Sequence, residues 1–298
     1  ARTATKGAPV TYTLRIEDGR EHAEARRAEL GIPRDVAMDL GRSALAAIEA
    51  GRYPHAGRDV DWSAAVERAI ASKHSLPPNA DLPTPTDVRA SALRIEVTNE
   101  TTLGAARRRV DAGARPLALN FANGIEPGGG FLHGARAQEE VLCRSSALYA
   151  TLVGDAMYEH HLGRERPDST DWAILSPSVP VFRTDDGSTL AAPWSLDVIT
   201  CAAPYAPALG RSESGDLLER RIHRVLEVAR AFGYRSLVLG AWGCGAFGND
   251  PVRTAEDFRS ALEGPFHGAF EHVVFAIADW APERRFLGPF RDVFAGER

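Results

Sequence analysis

Short apolar runs typical of β-strands alternate with helical segments through most of this 298-residue chain, and this alternation constrains the fold more than any other feature. The pattern predicts strands at residues 93–98, 116–122, 172–175, 179–182, 196–202, 236–240 and 272–278. It predicts helices at residues 102–112, 137–153, 215–232, 252–262 and 283–294. Alternation of this kind is typical of an α/β domain. The sequence therefore predicts a single α/β core.

The first 85 residues follow a different pattern. Residues 21–72 are rich in Ala, Arg and Glu, with apolar side chains at helical spacing from Leu40 to Ile48. Prolines then crowd residues 76–85, where neither a helix nor a central strand can continue. We therefore predict a helical N-terminal extension, residues 1–85, that packs on a core of residues 86–298 to form one compact unit.

Composition excludes several classes of protein. Lys and Arg number 35 against 40 Asp and Glu, and the resulting net charge of −5 argues against nucleic-acid binding through bulk positive charge. The chain has neither a membrane-length apolar run nor a signal-peptide pattern at its start. Cys143, Cys201 and Cys244 are widely spaced, which disfavours disulfides and structural zinc. We expect a cytoplasmic monomer without a membrane or direct nucleic-acid partner.

Two glycine-rich loops follow predicted strands. Residues 122–134 contain three consecutive glycines, and residues 241–251 contain Gly243, Gly245 and Gly248 directly before a helix. Glycines allow backbone amides to close on an anion, and a helix N-terminus favours negative charge. Each loop alone could be a simple tight turn. Two of them at strand ends predict a phosphate-bearing ligand, and neither matches a P-loop or a dinucleotide-binding motif.

An acidic pair follows the first loop. Glu139 and Glu140 begin a predicted helix just after Gln138, where carboxylates commonly complement the helix dipole. Neighbouring helical residues point about 100° apart, so the two carboxylates cannot flank one scissile bond. A glycosidase with two opposed carboxylates is therefore disfavoured. One acid/base with a second, ligand-holding carboxylate remains possible.

The order of these motifs resembles one known family. Gly128-Gly129-Gly130 followed by Gln138-Glu139-Glu140 is similar to the GGG…QEE signature of poly(ADP-ribose) glycohydrolases, in their compact bacterial and fungal branch. The resemblance extends over residues 20–280. Further matching segments are Gly51-Arg52-Tyr53, Asn120-Phe121-Ala122-Asn123, residues 176–183 and residues 240–249.

The resemblance implies both a fold and an activity. The fold would be a macrodomain-like three-layer sandwich with a mixed, mostly parallel central sheet. The reaction would be hydrolysis of ribose–ribose O-glycosidic bonds in poly(ADP-ribose), releasing ADP-ribose from chain ends without cofactor or metal. ADP-ribosylated proteins would carry the substrate, and the cellular setting would be the DNA damage response.

The resemblance also implies residue roles. Glu140 would be the catalytic acid/base, Glu139 would hold ribose hydroxyls, and Asn123 would bind the distal ribose. Phe247 would order the terminal ribose. The full set of expected substrate-binding residues is Asn123, Gly129, Gly130, Phe131, Gln138, Gly243, Gly245, Ala246, Phe247 and Gly248. An adenine pocket is expected at Asn99, Glu100 and Asp279.

Other interpretations stay open at this point. The chain could be a macrodomain that binds ADP-ribose without cleaving it, a hydrolase of another ADP-ribose linkage, or a generic nucleotide or sugar-phosphate enzyme. Histidine spacing suggests no metal site, and the pair His160-His161 is predicted to lie at an exposed helix end. Cys244 is predicted to be a small packing residue rather than a nucleophile.

Overall fold

A computed structural model describes residues 12–85 and 90–297. Its ten strands are Tyr12–Glu17 (β1), Arg52–His55 (β2), Arg58–Asp61 (β3), His74–Leu76 (β4), Leu93–Thr98 (β5), Pro116–Ala122 (β6), Ala173–Arg183 (β7), Thr189–Ala202 (β8), Ser236–Leu239 (β9) and His272–Ala276 (β10). Its helices are Arg20–Leu30 (α1), Arg34–Ala50 (α2), Ser63–Ala71 (α3), Thr102–Asp111 (α4), Gln138–Ser145 (α5), Leu148–Leu152 (α6), Ala156–Leu162 (α7), Ala206–Leu209 (α8), Arg211–Ala231 (α9), Pro251–Glu263 (α10) and Leu287–Ala295 (α11). A 3₁₀ turn covers Phe131–His133.

Eight of these strands form one central sheet in the order β1-β5-β10-β9-β6-β8-β7-β4. The pairings from β1 to β8 are parallel, whereas β8–β7 and β7–β4 are antiparallel. Strands β2 and β3 make a separate hairpin. The prediction of a mixed, mostly parallel sheet is confirmed.

Helices cover both faces of the sheet, as expected when the strands are apolar on both sides. Helices α9, α10 and α11 pack Leu226, Phe258 and Phe290 into one core. Helices α4 and α5 pack Leu103 and Leu142 into a second core on the opposite face. The result is a three-layer sandwich. None of the helices in the described ranges is long and apolar enough to cross a membrane.

Residues 1–85 contribute strands as well as the expected helices. Strand β1 pairs with β5 at one edge of the sheet, and β4 pairs with β7 at the other edge. Helices α2 and α3 cover an aromatic cluster of Tyr53, Trp62 and Phe182, whose ring centroids lie 4.6–5.4 Å apart. Residues 1–11, the start of the predicted extension, lie outside the described residues, as do residues 86–89 and residue 298.

Two sequence-predicted boundaries are wrong. The single helix expected at residues 137–153 is broken, because Ser146 adopts an extended backbone and bridges to Val181 of β7. The two strands expected at residues 172–175 and 179–182 are one strand with a bulge near Ser178, whose φ is +56°. A bulge interrupts the local pattern without ending the strand.

The parallel strands separate at one point. Strand β6 pairs with β9 only at residues 116–118, whereas it stays paired with β8 through Ala122. Both glycine-rich loops leave the sheet on the two sides of this separation, one after β6 and one after β9. Ligands in open α/β sheets bind at the carboxyl ends of strands in such a gap. This is where the candidate site lies.

Candidate active site

The first glycine-rich loop, residues 123–134, is shaped by Asn123 and two glycines. The Asn123 Oδ1 accepts hydrogen bonds from the amides of Ile125 (2.9 Å) and Glu126 (3.2 Å) and so closes a turn. Gly128 and Gly129 have φ values of +72° and +56°. A Cβ on Gly129 would clash with Glu140 Oε1 and lie 3.1 Å from Glu139 Oε2. Only glycine lets the loop lie this close to both carboxylates.

Glu139 is buried at the base of this loop. Its Oε2 accepts a hydrogen bond from the Asn123 amide (2.7 Å), and its Oε1 accepts one from Asn120 Nδ2 (3.2 Å). Burial in the interior raises the pKa of Glu139 to about 8, although these hydrogen bonds oppose the shift. Its carboxyl group is therefore directed into the protein, where it ties strand β6 and the loop to helix α5.

Glu140 differs from its neighbour in the use of its two oxygens. The Oε1 accepts a hydrogen bond from the Gly130 amide (3.0 Å). The Oε2 is buried and has no hydrogen-bond partner among the described residues. A buried polar atom without a partner is unusual and points to a functional role. Glu140 is thus held by one oxygen at the loop while the other remains available.

Gln138 fixes the start of α5 on the sheet. Its Oε1 accepts from the Phe121 amide (2.9 Å), and its Nε2 donates to the Leu119 carbonyl (2.7 Å) and to Thr102 Oγ1 (3.1 Å). These backbone groups belong to the part of β6 that no longer pairs with β9. The Gln138 side chain therefore makes the backbone hydrogen bonds that a neighbouring strand would otherwise make. The structure gives Gln138 a positioning contact, whereas the sequence predicted a substrate-binding role.

A buried arginine lies behind the acidic pair. Arg144 is four residues after Glu140 on α5 and only 1% exposed. None of its guanidinium nitrogens has a hydrogen-bond partner among the described residues. Burial lowers the pKa of Arg144, and the charges of Asp185 and Glu140 oppose that shift. Asp185, whose pKa burial raises to about 6, accepts from Thr101 Oγ1 (2.6 Å).

The second glycine-rich loop, residues 240–250, is held by its own residues. Asn249 Nδ2 donates to the carbonyls of Pro204 (2.9 Å) and Gly243 (3.1 Å). Asp250 caps α10 by accepting from the Val252 amide (2.9 Å). Gly243 has a φ of +74°, and a Cβ there would lie 2.7 Å from Asn249 Nδ2. This loop therefore presents a backbone surface without any buried carboxylate of its own.

Aromatic side chains flank the loops. Phe247 is half-buried, and its ring meets that of Tyr205 edge-on at 5.7 Å between centroids. Phe131 is fully buried against Tyr149 at 4.9 Å, so its ring lies beneath the first loop. Of the two predicted contact aromatics, only Phe247 has ring surface open to the outside.

A largely apolar cavity of about 230 Å³ is lined by Gln138 and Val141, the residues on either side of the acidic pair in α5. It lies between the second loop, helix α5 and the residues that follow β10. Glu100 and Asp185 bring carboxylates to its wall. Its apolar and aromatic lining includes Leu30, Leu103, Phe121, Val141, Ile277, Trp280 and Phe286. Such a chamber, apolar with a few polar groups, is typical of a site for a flat organic ring.

The predicted adenine-pocket residues separate into two groups. Glu100 lines the cavity. Asn99 and Asp279 instead bond each other, since Asn99 Nδ2 donates to the Asp279 carbonyl (2.7 Å) and the Asp279 amide donates to Asn99 Oδ1 (3.1 Å). The Asp279 carboxylate accepts from the Phe286 amide (2.8 Å). These two residues join the ends of β5 and β10 beside the cavity.

The expectation for the histidine pair is partly wrong. His160 is exposed, but His161 is buried, with its Nδ1 3.0 Å from the Gly124 carbonyl and its Nε2 2.7 Å from Thr170 Oγ1. Burial lowers the pKa of His161 to about 4, so it is neutral at pH 7. A neutral His161 braces the first loop from outside. Its place next to Gly124 depends on tertiary packing, which helical periodicity does not reveal.

Cys244 lies within the second glycine-rich loop. Cys244 is buried, and burial raises its thiol pKa to about 12, so it packs without thiolate character. No group of three or more His, Cys, Asp or Glu side chains with metal-binding geometry occurs among the described residues.

Fold and site together define an α/β protein with a cleft between two glycine-rich loops at the strand ends, where a buried acidic pair lies. Residues 41–184 match the family described as "Microbial-type PARG, catalytic domain", where PARG is poly(ADP-ribose) glycohydrolase. The chain belongs to this family of microbial-type poly(ADP-ribose) glycohydrolases. A comparison with curated proteins gave no match.

Solved structures agree with this assignment. The poly(ADP-ribose) glycohydrolase from Thermomonospora curvata is 41% identical with a TM-score of 0.81, covering 86% of this chain and 98% of that chain. A structure of the same enzyme bound to the inhibitor ADP-HPD is 42% identical with a TM-score of 0.80, covering 87% of this chain and 100% of that chain. The poly(ADP-ribose) glycohydrolase from Deinococcus radiodurans, in complex with ADP-ribose, is 41% identical with a TM-score of 0.71. It covers 78% of this chain and 97% of that chain.

Proposed function

We propose that this protein hydrolyses the ribose–ribose O-glycosidic bonds of poly(ADP-ribose) and releases ADP-ribose, with Glu140 as general acid/base. One observation carries the proposal: Glu140 is fixed by the Gly130 amide through Oε1 while its buried Oε2 lacks a hydrogen-bond partner among the described residues. A positioned carboxyl group with one available oxygen suits proton transfer. Family membership and the solved structures with ADP-ribose or ADP-HPD support the same reaction.

The reaction needs one proton at the leaving group. The bond breaks between the anomeric carbon of one ribose and the oxygen of the next, so the departing sugar oxygen must be protonated. Glu140 donates that proton, and its carboxylate then faces the positive charge that develops on the ribose ring. Water attacks the anomeric carbon and returns a proton to Glu140. The buried Arg144 on the same helix interacts electrostatically with Glu140.

Glu139 has a different role in this proposal. Its oxygens accept from the Asn123 amide and the Asn120 side chain, so it holds the loop against which the distal ribose rests. Because burial raises its pKa to about 8, Glu139 is largely protonated at neutral pH. A protonated Glu139 can donate a hydrogen bond to a ribose hydroxyl and adds no negative charge beside Glu140.

The rest of the ligand follows the shape of the cleft. In this proposal the diphosphate lies between the two glycine-rich loops, where glycine backbone can approach phosphate oxygens closely. The adenine ring occupies the apolar cavity, whose wall includes Phe121 and Phe286. In this arrangement Glu100 and Asp185 are carboxylates in the wall of the cavity that holds the base. We propose cleavage at chain ends on ADP-ribosylated proteins by a cytoplasmic monomer.

Glu140→Gln tests the proposal, with Glu126→Gln as the matched control on the exposed part of the same loop. Purified poly(ADP-ribose) is incubated with each variant, and the products are separated and identified by mass spectrometry. We expect ADP-ribose from the wild type and from Glu126→Gln, and at least about a hundredfold loss of turnover in Glu140→Gln. Calorimetry should show that Glu140→Gln still binds ADP-ribose.

Other results would favour the alternatives. Wild-type binding of ADP-ribose without polymer cleavage would make the protein a binding module. Release of ADP-ribose from mono-ADP-ribosylated protein or from O-acetylated ADP-ribose, with intact polymer, would assign another linkage. Early appearance of oligomers rather than single ADP-ribose units would contradict cleavage at chain ends.

A further inference from the structure

A second groove lies at the opposite ends of the central strands from the active site. It has a volume of about 540 Å³ and lies at the amino-terminal ends of β5, β6, β9 and β10. Strand β5 has six residues, so about 20 Å of extended chain separates its two ends. A ligand confined to the cleft therefore does not reach this groove. Four arginines line it: Arg94, Arg109, Arg115 and Arg235.

The charge of the groove is opposite to that of the whole chain. The net charge is −5, yet among the described residues that line the groove these four arginines face one carboxylate, Glu271. Arg115 pairs with Asp197 at 2.6 Å, and Arg235 pairs with Glu271 at 2.8 Å. Arg94 and Arg109 have no ion pair with any described residue. Nearby Glu96 is already engaged by Arg108 (2.7 Å) and His272 (2.8 Å).

Arg109 is held in an unfavourable place for a cation. It is half-buried, and the only side-chain hydrogen bond found for it in the described part of the chain goes from Nε to Ser236 Oγ at 3.4 Å. Burial lowers its pKa, the negative charge of Glu96 opposes that shift, and the positive charges of Arg108 and Arg94 lower the pKa further. Like charges that crowd a groove cost folding free energy, and such conflicts occur at functional sites.

We propose that this groove binds diphosphate groups of the poly(ADP-ribose) chain at a second site, outside the active-site cleft. Each unit of the polymer carries a diphosphate, and guanidinium groups bind phosphate oxygens through paired hydrogen bonds. The proposal rests on the proposed function, which supplies this polymer as the partner. A polymer anchored here raises the effective concentration of its ends at the cleft, so long chains are bound more tightly than short ones.

The first test uses pyrophosphate as the probe. The wild type is saturated with ADP-ribose to fill the cleft, and pyrophosphate is then titrated by calorimetry. We expect binding to the wild type, loss of that binding in the double variant Arg94→Gln/Arg109→Gln, and retention in Arg58→Gln/Arg68→Gln. That control pair removes the same charge from exposed positions on β3 and α3. Absence of binding to the wild type, or equal binding by both variants, would overturn the proposal.

The second test is kinetic and compares long polymer with a two-unit fragment. In the double variant we expect the KM for long polymer to rise by about tenfold, while kcat and the KM for the fragment stay unchanged. The slope of log affinity for the polymer against log salt concentration should become shallower by about 0.7 for each phosphate that the variant no longer neutralises. An unchanged KM for long polymer would refute the proposal, as would equal competition by duplex DNA, which would mark a general polyanion surface.

Two readouts keep this proposal separate from the proposed function. If the wild type leaves all polymer intact, the proposed function fails, whereas the pyrophosphate titration still reports on the groove. If the double variant unfolds, Arg94→Gln alone is used, because Arg94 is exposed and its side chain has no part in the core. Melting temperatures of all variants are measured beforehand.

Discussion

The two glycine-rich loops begin alike but are stabilised in different ways. Each follows a parallel strand and contains glycines with positive φ. The first loop is held by Glu139, Glu140 and His161, which lie outside it in the sequence. The second loop is held mainly from within, by Asn249 and the helix cap Asp250.

This difference separates chemistry from binding. Movement of the first loop must also move the carboxyl groups, because Gly129 and Gly130 contact them directly. The second loop can shift without disturbing any buried carboxylate. We therefore expect changes in the first loop to affect kcat and changes in the second loop to affect ligand affinity.

The strongest test of this comparison is Gly129→Ala against Gly245→Ala. Alanine at residue 129 must adopt a φ near +56° and clash with Glu140 Oε1, so we expect kcat to fall by about 100-fold. Alanine at residue 245 meets no atom within 4 Å. Steady-state kinetics should show a changed KM with an unchanged kcat for Gly245→Ala. Equal losses of kcat in both would refute the division of roles.

The pH dependence of stability comes next. Glu139 has an ordinary pKa of 4.5 when exposed and about 8 in the folded protein, so the folded state holds the extra proton between these values. Its contribution is fully present below pH 4.5 and is lost as the pH rises through 8. Relative to wild type, Glu139→Gln should gain up to about 1.4 kcal/mol per pH unit across this window.

Urea unfolding at several pH values measures this effect. Glu126→Gln, on the exposed side of the same loop, serves as the control and should follow the wild type at every pH. Parallel stability curves for Glu139→Gln and the wild type would show that Glu139 titrates normally, and its proposed neutral role would be wrong.

The third comparison removes one anchoring side chain near each loop, Gln138 between α5 and β6 and Asn249 in the second loop. Gln138→Ala leaves the Leu119 carbonyl and the Phe121 amide without this partner, and Asn249→Ala does the same to two carbonyls. We expect each to lower the free energy of unfolding by about 1–3 kcal/mol. Only Gln138→Ala should also lower kcat, because Gln138 orients α5. Thermal unfolding measures the stability of both variants, and steady-state kinetics measures their kcat. A lower kcat in Asn249→Ala, or an unchanged kcat in Gln138→Ala, would contradict the expectation.

The smallest effect is expected for Phe247→Ala. Its half-buried ring offers aromatic surface next to Tyr205, and its removal should weaken ADP-ribose binding by about 1 kcal/mol, roughly fivefold. The kcat should stay within about twofold, since the ring touches none of the carboxyl groups. Calorimetry with ADP-ribose gives the affinity, and Tyr205→Phe, which retains the ring, is the control. A larger effect on kcat than on affinity would contradict the comparison.

Parts of the candidate site that are contiguous in the chain could be predicted from the sequence to lie together. The three glycines and the Glu139-Glu140 pair lie within one short segment, so spacing alone brings them together. Contacts between distant segments were not predictable. The electrostatic interaction between Arg144 and Asp185 depends on how α5 packs beside the end of β7, and the burial of His161 depends on its contact with residue 124.

The fold was predicted with similar limits. The parallel core and its helices follow from local periodicity, and most predicted strands and helices are present. Edge strand β1 pairs with a strand more than seventy residues later, and β4 has only three residues, so neither gives a clear local pattern. Gln138 was expected to touch substrate, whereas its contacts along β6 depend on strand register.

The separation of β6 from β9 has a consequence for how the empty cleft behaves. The Gln138 side chain hydrogen-bonds the Phe121 amide and the Leu119 carbonyl, which the separation would otherwise leave unpaired. Closing β6 onto β9 would therefore gain no hydrogen bond at these two groups. The cleft is therefore preorganised, and a ligand need not spend binding energy on parting the sheet. The Phe121 amide should exchange with deuterium as slowly in the free protein as in its complex with ADP-ribose.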